Sequence, residues 1–209
     1  MKIMQAEVKV GRADAESADV LVLTHCEGEG LNKRDGAAID KALGEVLRGL
    51  LQSKEFEGHA GESLLYHTQG KIPAKRLLLI GLGKKKALTL DAIRQAMGYA
   101  VKRVRQTKSG SFVVAMPAVM PKGHSPIEVA QAMAEGAILG SYEFTAYRSD
   151  NGPAKDVARM TILAPQRGQM RHVTEGLRRG LATAEATVFV RDLCNHPSNV
   201  MTPTRIAQE

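Results

Sequence analysis

The sequence predicts an α/β fold in which strands and helices alternate along the chain. Short continuous apolar runs at residues 18–24 and 76–81 are typical of strands that are buried on both faces of a sheet. Between such runs, longer stretches carry apolar residues at helical spacing. The chain has 209 residues, of which 44% are hydrophobic, so it is long enough to bury a core. We therefore expect a largely parallel or mixed sheet flanked by helices.

The first half of the chain supplies four of the predicted strands and one predicted helix. Strands at residues 8–10 and 18–24 precede an amphipathic helix over residues 34–51. Two further strands follow at residues 63–66 and 76–81. The last of these strands ends in the sequence Gly81-Leu82-Gly83, which predicts a turn.

A helix with one basic face is predicted after this turn. Thr89 is a good N-cap residue, and the helix is expected to continue to about Arg105. At about 100° per residue, the apolar residues fall on one side of this helix and the basic residues on the other. We expect the apolar side to pack and the positive side to face solvent.

The second half of the chain continues the alternation of strands and helices. A strand at residues 112–116 precedes a helix over residues 126–144. Ser125, Pro126 and Glu128 have the arrangement of a capping box at the start of that helix. A loop at residues 150–153 then leads to the remaining two elements, which are a strand at residues 158–163 and a long helix over residues 169–194. Four small residues on the helix before the loop are expected to lie against the sheet: Ala130, Ala134, Ala137 and Gly140.

The positive charge of the chain is concentrated in one segment. The whole chain carries a net charge of +7, whereas residues 71–108 hold 11 Lys and Arg against one Asp, a local charge of +10. Such a segment indicates either a solvated basic face or a surface for an anionic partner. Both interpretations stay open at the level of the sequence.

The glycines and lysines at residues 81–86 lie where an α/β protein would bind phosphate, between a strand and a helix. They do not match a P-loop. They do not match a dinucleotide-binding motif either, because Lys86 occupies the place of the third glycine of that motif. The segment is interpreted as a glycine turn, with a nonspecific anion site made of backbone N–H groups, Lys84, Lys85 and Lys86 as the alternative.

No catalytic or metal-binding residue is predicted. His25-Cys26-Glu27 lacks a second pair of ligands at metal-binding spacing. Cys194-Asn195-His196 is an unconvincing nucleophile and base, because adjacent side chains on a helix do not face each other.

The apolar runs are too short to cross a bilayer, so we expect no contact with a membrane. The chain has only two cysteines and no apparent signal peptide, which favours a reducing, cytoplasmic location.

A stretch near the end of the sequence resembles a known family. Residues 190–203, Val-Arg-Asp-Leu-Cys-Asn-His-Pro-Ser-Asn-Val-Met-Thr-Pro, are similar to the hinge of leucyl aminopeptidases, the cytosol aminopeptidase family of di-metal exopeptidases. Residues 78–84 with Arg94, and residues 134–144 with Tyr147 and Arg148, are similar to the same family in the same order. The resemblance covers essentially the whole chain.

The resemblance implies both a fold and a division of the chain. It implies a mixed sheet similar to macro domains over residues 1–167, followed by an interdomain helix and hinge over residues 168–209. The sequence would then be the non-catalytic N-terminal domain of a longer leucyl aminopeptidase, a hydrolase that removes N-terminal amino acids from peptides. A helix start at Thr202-Pro203, shortly before the last residue, also favours a longer protein.

The resemblance further implies where the chemistry and the partners are. Two divalent ions, zinc or manganese, are held in that family by segments that this sequence lacks, so the domain is expected to contain no cofactor and to be inactive alone. The expected partners are the catalytic domain of the same chain and, for the full-length protein, the other subunits of a homo-hexamer. Peptide substrates would bind elsewhere.

An alternative function is nucleic-acid binding through residues 71–108, since some bacterial members of the family bind DNA. With few aromatic residues for base stacking, such binding would depend on phosphate contacts. The candidate contacts are Lys84, Lys85, Lys86, Arg94, Lys102, Arg103 and Arg105.

Overall fold

Among the residues that the structure describes, six strands form one mixed sheet at the centre of the fold. The structure is a computed structural model, and it describes residues 4–147 and 156–208. The strands are β1 (Gln5–Val10), β2 (Leu21–Glu27), β3 (Ser63–His67), β4 (Arg76–Lys84), β5 (Ser111–Ala115) and β6 (Arg159–Ala164). Their order across the sheet is β1-β6-β5-β2-β4-β3. β3 is antiparallel to β4 and the other neighbouring strands are parallel, which confirms the predicted mixed sheet.

Helices cover both faces of this sheet. They are α1 (Gly36–Leu43), α2 (Val46–Gln52), α3 (Leu90–Gln106), α4 (Pro126–Ser141), α5 (Arg167–Asn195) and α6 (Pro203–Ile206). α1 and α2 pack on one face, while α3, α4 and α5 form the layer on the other, with α4 between α3 and α5. The predicted long C-terminal helix is confirmed as α5.

The central strands β2 and β4 send alternate side chains into the two layers. Val22 and Leu78 are buried on the side of α3, whereas Leu21 and Leu77 are buried on the side of α1. Because successive residues of a strand point to opposite faces, both layers can be filled only by an uninterrupted apolar run. This requirement explains the continuous apolar runs that predicted these two strands.

The single helix predicted over residues 34–51 is wrong, because the chain forms α1 and α2 instead. Gly44 ends α1 in the left-handed conformation, with φ of 77°, and its backbone N–H donates to the carbonyl of Lys41. Leu43 and Leu47 are nevertheless buried in the same layer, so the apolar pattern continues across the break. The signal for the break was Gly44, since glycine adopts this conformation at little cost.

The turn predicted at Gly81-Leu82-Gly83 is also wrong. β4 continues through both glycines to Lys84, and the chain turns in a short 3-10 helix at Lys85–Ala87.

The capping box at the start of α4 is confirmed, since Ser125 and Glu128 each bond the backbone of the other. Among the small residues of α4, Gly140 lies against α3, and Ala130 and Ala134 lie against α5, while the alanines are also buried in the same core as the strands. A Cβ on Gly140 would lie 2.6 Å from Cα of Gly98 in α3, and a Cβ on Gly180 of α5 would lie 2.7 Å from Cβ of Ala134. These residues therefore let three helices pack in close contact.

Three further expectations from the sequence concern a loop, a membrane-spanning helix and a domain boundary. The loop at residues 150–153 and Arg148 lie outside the described residues. No helix in the described part of the chain is long and apolar enough to cross a membrane. The domain boundary between residues 167 and 168 stays a prediction, although the buried residues of α5, such as Val173 and Leu177, belong to the core on one face of the sheet.

Candidate functional site

The three consecutive lysines lie at the carboxyl end of β4. Lys84 is the last residue of the strand, and Lys85 and Lys86 begin the 3-10 helix that follows. All three are exposed, and Nζ of Lys85 lies 3.4 Å from Oε2 of Glu29. In the described part of the chain, no carboxylate lies within 4.0 Å of Lys84 or Lys86. Two of the three lysines are therefore available to an anion.

The backbone N–H groups of the neighbouring glycines are already used within the chain. The N–H of Gly81 donates to the carbonyl of Glu62 at 2.8 Å, and the N–H of Gly83 donates to the carbonyl of Gly58 at 2.9 Å. A Cβ at Gly81 would lie 2.0 Å from the carbonyl oxygen of His59. Gly81 thus permits the loop before β3 to cross β4 closely, which is a structural reason for this glycine.

That loop contains an arrangement of backbone N–H groups that would suit an anion, and it is filled by Glu62. Oε2 of Glu62 accepts hydrogen bonds from the N–H groups of Glu57, Gly58 and His59 at 3.1, 2.8 and 2.9 Å. Clusters of backbone N–H groups are common anion sites. Here the anion is a carboxylate of the chain itself.

Arg94 and Arg105 connect α3 to α4. Nε of Arg94 donates to the buried carboxylate of Glu135 at 2.6 Å, and Gln131 donates to the other oxygen of that carboxylate at 2.8 Å. Arg105 donates to Glu143 at 2.5 Å and to the carbonyl of Ser141, at the end of α4. Because a buried carboxylate without a partner is costly, Arg94 has a structural role.

The other two candidate residues, Lys102 and Arg103, lie in the last two turns of α3. Arg103 donates to Gln106 at 2.6 Å, and Lys102 is exposed. At a rise of about 1.5 Å per residue, both lie about 20 Å along α3 from its start near Lys86. The seven candidate contacts are therefore distributed over two ends of α3, and nucleic-acid binding stays a prediction.

A cleft of about 330 Å³ opens at the carboxyl ends of β2 and β5. Its walls include His25, Cys26, Asn32 and Val119. Burial lowers the pKa of His25, whose Nε2 is buried and has no partner among the described residues. Burial also raises the pKa of the Cys26 thiol, so this thiol stays protonated and is a poor nucleophile and metal ligand.

The metal ions implied by the resemblance do not fit the described residues. They contain no group of three or more His, Cys, Asp or Glu side chains that could hold a metal ion. His59 lies close to two carboxylates, with Nδ1 3.2 Å from Glu27 and Nε2 3.7 Å from Glu57, and these carboxylates raise its pKa. His59 is thereby held between two carboxylates.

The end of α5 is held by the segment that follows α4. The hydroxyl of Tyr142 donates to Oδ1 of Asp192 at 2.7 Å and accepts a hydrogen bond from Asn195 at 2.9 Å. The guanidinium of Arg191 lies 5.5 Å from the centre of the Tyr142 ring. Three residues of the last turns of α5 therefore contact one tyrosine.

Aromatic contacts extend this arrangement past the end of the helix. The ring of His196 packs edge-on against Phe144 and Tyr147, at centroid distances of 5.1 and 5.7 Å. The Tyr147 hydroxyl lies 2.7 Å from Nδ1 of His196. We call these side chains the junction cluster: Tyr142, Phe144, Tyr147, Arg191, Asp192, Asn195 and His196.

The sequence did not predict the junction cluster, although it contained a signal for it. The three stretches that resemble one family are joined by contacts, since Arg94 pairs with Glu135 and Tyr142 pairs with Asp192. Stretches that match a family in the same order are candidates for mutual contact. The junction cluster thus connects the segment after α4 with the last turns of α5 and with His196, the first residue after that helix.

The family model for the N-terminal domain of the cytosol aminopeptidase family matches residues 20–151. A "Probable cytosol aminopeptidase" of Geobacter sp. (strain M21) is 40% identical over 172 residues, which cover 81% of this chain and 34% of the relative. A protein of the same description from Roseiflexus castenholzii is 34% identical over 207 residues, which cover 98% of this chain and 39% of the relative. The chain thus spans between a third and two fifths of the length of these relatives.

Solved structures show the same similarity. A tomato leucine aminopeptidase mutant matches 98% of this chain with a TM-score of 0.79 and 20% identity, and the match covers 41% of that protein. The bottromycin maturation enzyme BotP in complex with Mn matches 92% of this chain with a TM-score of 0.68 and 25% identity, over 35% of its own length. A macrodomain from Oceanobacillus iheyensis matches 84% of this chain with a TM-score of 0.62 and 15% identity, over 92% of its own length, which confirms the predicted macro-like fold.

Proposed function

The chain belongs to the cytosol aminopeptidase family, whose N-terminal domain it forms, and we propose that this domain is the non-catalytic part of a longer enzyme. That enzyme removes N-terminal amino acids from peptides. The observation that carries the proposal is the match of nearly the whole chain to about two fifths of an aminopeptidase relative. The domain itself positions the following part of the polypeptide through the junction cluster.

The chemistry of the proposed enzyme is assigned to the part of the polypeptide outside this chain. The described residues offer no group that fits a metal ion, and a related enzyme has been solved with Mn. Two divalent ions, zinc or manganese, are therefore proposed for the other domain. Peptide substrates bind there, and the enzyme is proposed to act in the cytoplasm as a homo-hexamer.

Aminopeptidase assays on two polypeptides test this proposal. The 209-residue chain and the longer polypeptide that contains it are each assayed with Leu-p-nitroanilide and Mn²⁺ or Zn²⁺. We expect hydrolysis only by the longer polypeptide, and EDTA should abolish it. Metal-dependent hydrolysis by the 209-residue chain would show that the catalytic groups lie within it.

Nucleic-acid binding is the second candidate function. The observation that favours it is the exposure of Lys84, Lys86 and Lys102, none of which has a carboxylate within 4.0 Å in the described residues. Glu29 lies beside Lys85, however, and the neighbouring backbone N–H groups are occupied. Any such binding therefore uses a few phosphate contacts and is weak.

A further inference from the structure

The outward face of α5 changes character halfway along the helix. In the first half, the residues that follow one another at spacings of three and four on this face are charged: Arg171, Glu175 and Arg178. The same row then continues with apolar residues, which we call the α5 stripe: Ala182, Ala186, Phe189 and Leu193. Residues at these spacings lie above one another on a helix, so the stripe is continuous.

The α5 stripe lies opposite the face of α5 that packs in the core. Val173, Ala184 and Val188 are buried in the core with α4. At about 100° per residue, the stripe lies roughly half a turn away from these residues. Ala182, Ala186 and Phe189 are exposed, with Phe189 45% exposed. The second half of α5 therefore has two apolar faces, and only one of them is covered within the described residues.

The charged half and the apolar half of the outward face differ in whether burial against another surface would stabilise them. Glu175 accepts hydrogen bonds from Arg178 at 2.9 Å and from Arg179 at 2.7 Å, so the charged half is satisfied in water. An aromatic ring exposed at the centre of an apolar row gains free energy only when another surface covers it. A partner is thus expected on the C-terminal half of α5 alone, next to the junction cluster.

Resting on the proposed function, we propose that the α5 stripe binds an apolar helix face of the catalytic domain in the same polypeptide. Spacings of four and three residues, with two small side chains before a large one, suit packing against a helix. The junction cluster holds the last turns of α5, so the stripe is presented without a further ordering cost.

The area of the stripe favours this occupant over a second copy of the chain. With about 200 Å² for a whole aromatic side chain, the stripe and the adjacent Val190 expose roughly 300 Å² of apolar surface. A stable interface between separate proteins needs about 800 Å² from each partner. A domain joined through a short linker has an effective concentration of about 1 mM, so a contact of this size is sufficient.

Phe189→Asp in the longer polypeptide tests the proposal, with Met170→Asp as the matched control. Met170 is an apolar residue on the same helix, 42% exposed and outside the stripe. Thermolysin cleavage at residues 196–202 is the readout, because loss of the contact should release this linker. We expect cleavage of Phe189→Asp to be about tenfold faster than wild type, of Phe189→Ala to be intermediate, and of Met170→Asp to be unchanged.

The same variants of the 209-residue chain show whether the effect belongs to the interface. There, we expect Phe189→Asp to leave the Tm within about 2 °C of wild type, because Phe189 is exposed. Equal cleavage of Phe189→Asp and Met170→Asp in the longer polypeptide would overturn the proposal. So would a dimer of the 209-residue chain that Phe189→Asp converts to a monomer.

Hydrolysis of Leu-p-nitroanilide by the same preparations separates this proposal from the proposed function. A cleavage difference without hydrolysis supports the contact and contradicts the aminopeptidase activity. Hydrolysis without a cleavage difference supports the activity and overturns the contact.

Discussion

Single carboxylates in this molecule hold the fold together by accepting hydrogen bonds from nearby groups. Glu62 fills a cluster of backbone N–H groups, Glu135 binds Arg94 between two helices, and Glu128 closes the capping box of α4. Each of these oxygens is a potential ligand for a metal ion or a substrate. In this fold, these three carboxylates are already bound by groups of the chain itself.

Glu128 gives the stability a dependence on pH at the acid end. The backbone N–H of Ser125, the neighbouring His124 and the Ser125 hydroxyl lower the pKa of Glu128 to about 2. Its contribution is therefore complete above the ordinary pKa of about 4.5 and is lost as the pH falls towards 2. We expect the Tm of Glu128→Gln to lie a few °C below wild type at pH 6 and to approach wild type at pH 2.5.

Glu185→Gln is the control for this measurement. Glu185 is an exposed residue of α5 whose carboxylate accepts no hydrogen bond in the described part of the chain. Thermal unfolding of this variant should follow wild type at both pH values. A Tm difference for Glu128→Gln that stays constant from pH 6 to pH 2.5 would contradict the assignment.

At the scale of whole elements, glycines set the distances between the three helices on one face of the sheet. A Cβ on Gly136 would lie 2.2 Å from the carbonyl oxygen of Arg94, and a Cβ on Gly176 would lie 2.2 Å from that of Ile127. Both contacts are with backbone atoms, which cannot move without shifting a helix. α4 is therefore held in contact with α3 and α5 at positions where only glycine fits.

Gly136→Ala should consequently be destabilising although alanine favours helices. We expect the free energy of unfolding to fall by about 2 kcal/mol or more, measured by urea denaturation. Gly168→Ala is the matched control, since a Cβ at Gly168 of α5 meets nothing within 4 Å. That variant should be neutral or more stable by up to about 1 kcal/mol. Similar values for the two variants would refute the role assigned to Gly136.

The elements could be predicted from the sequence where a local pattern determines them. The buried strands and the start of α4 depend on apolar runs and a capping box, which are local. The break between α1 and α2 could not be predicted from periodicity, because the apolar residues on both sides of Gly44 face the same layer. A glycine inside an amphipathic pattern fits both a continuous helix and a break, and packing decides between them.

The candidate site was less predictable than the fold, because it depends on contacts between distant residues. Arg94 and Glu135 are 41 residues apart, and Tyr142 and Asp192 are 50 residues apart. The basic side of α3 was predicted as a single surface from its charge. The structure shows that Arg94 pairs with Glu135 of α4 and that Arg105 pairs with Glu143, just after the end of α4. Only the tertiary arrangement could reveal these pairs.

For the whole molecule, the net charge of +7 gives a prediction about nucleic acid. Because the available lysines are few, we expect weak binding of duplex DNA with a log–log salt slope no steeper than about −3. Lys84→Glu/Lys85→Glu/Lys86→Glu should reduce this binding in a mobility-shift titration. The matched variant Lys33→Glu/Lys41→Glu/Lys54→Glu makes the same charge change at exposed residues outside the basic segment. Equal affinity of the two triple variants would exclude Lys84, Lys85 and Lys86 as the binding residues.

The position of β1 in the sheet has a consequence for the order in which the chain can assemble during its synthesis. β1 is made before the other strands, but among the described residues it pairs only with β6, so that Gln5 meets Arg159 about 150 residues later. At about 5–20 residues per second, β1 waits roughly 8–30 s on the ribosome for its partner. Its exposed side carries Glu7 and Lys9, and such charges discourage an unpaired strand from joining a wrong neighbour. The inner strands can thus pair first, and β1, although it is synthesised before them, completes the sheet last.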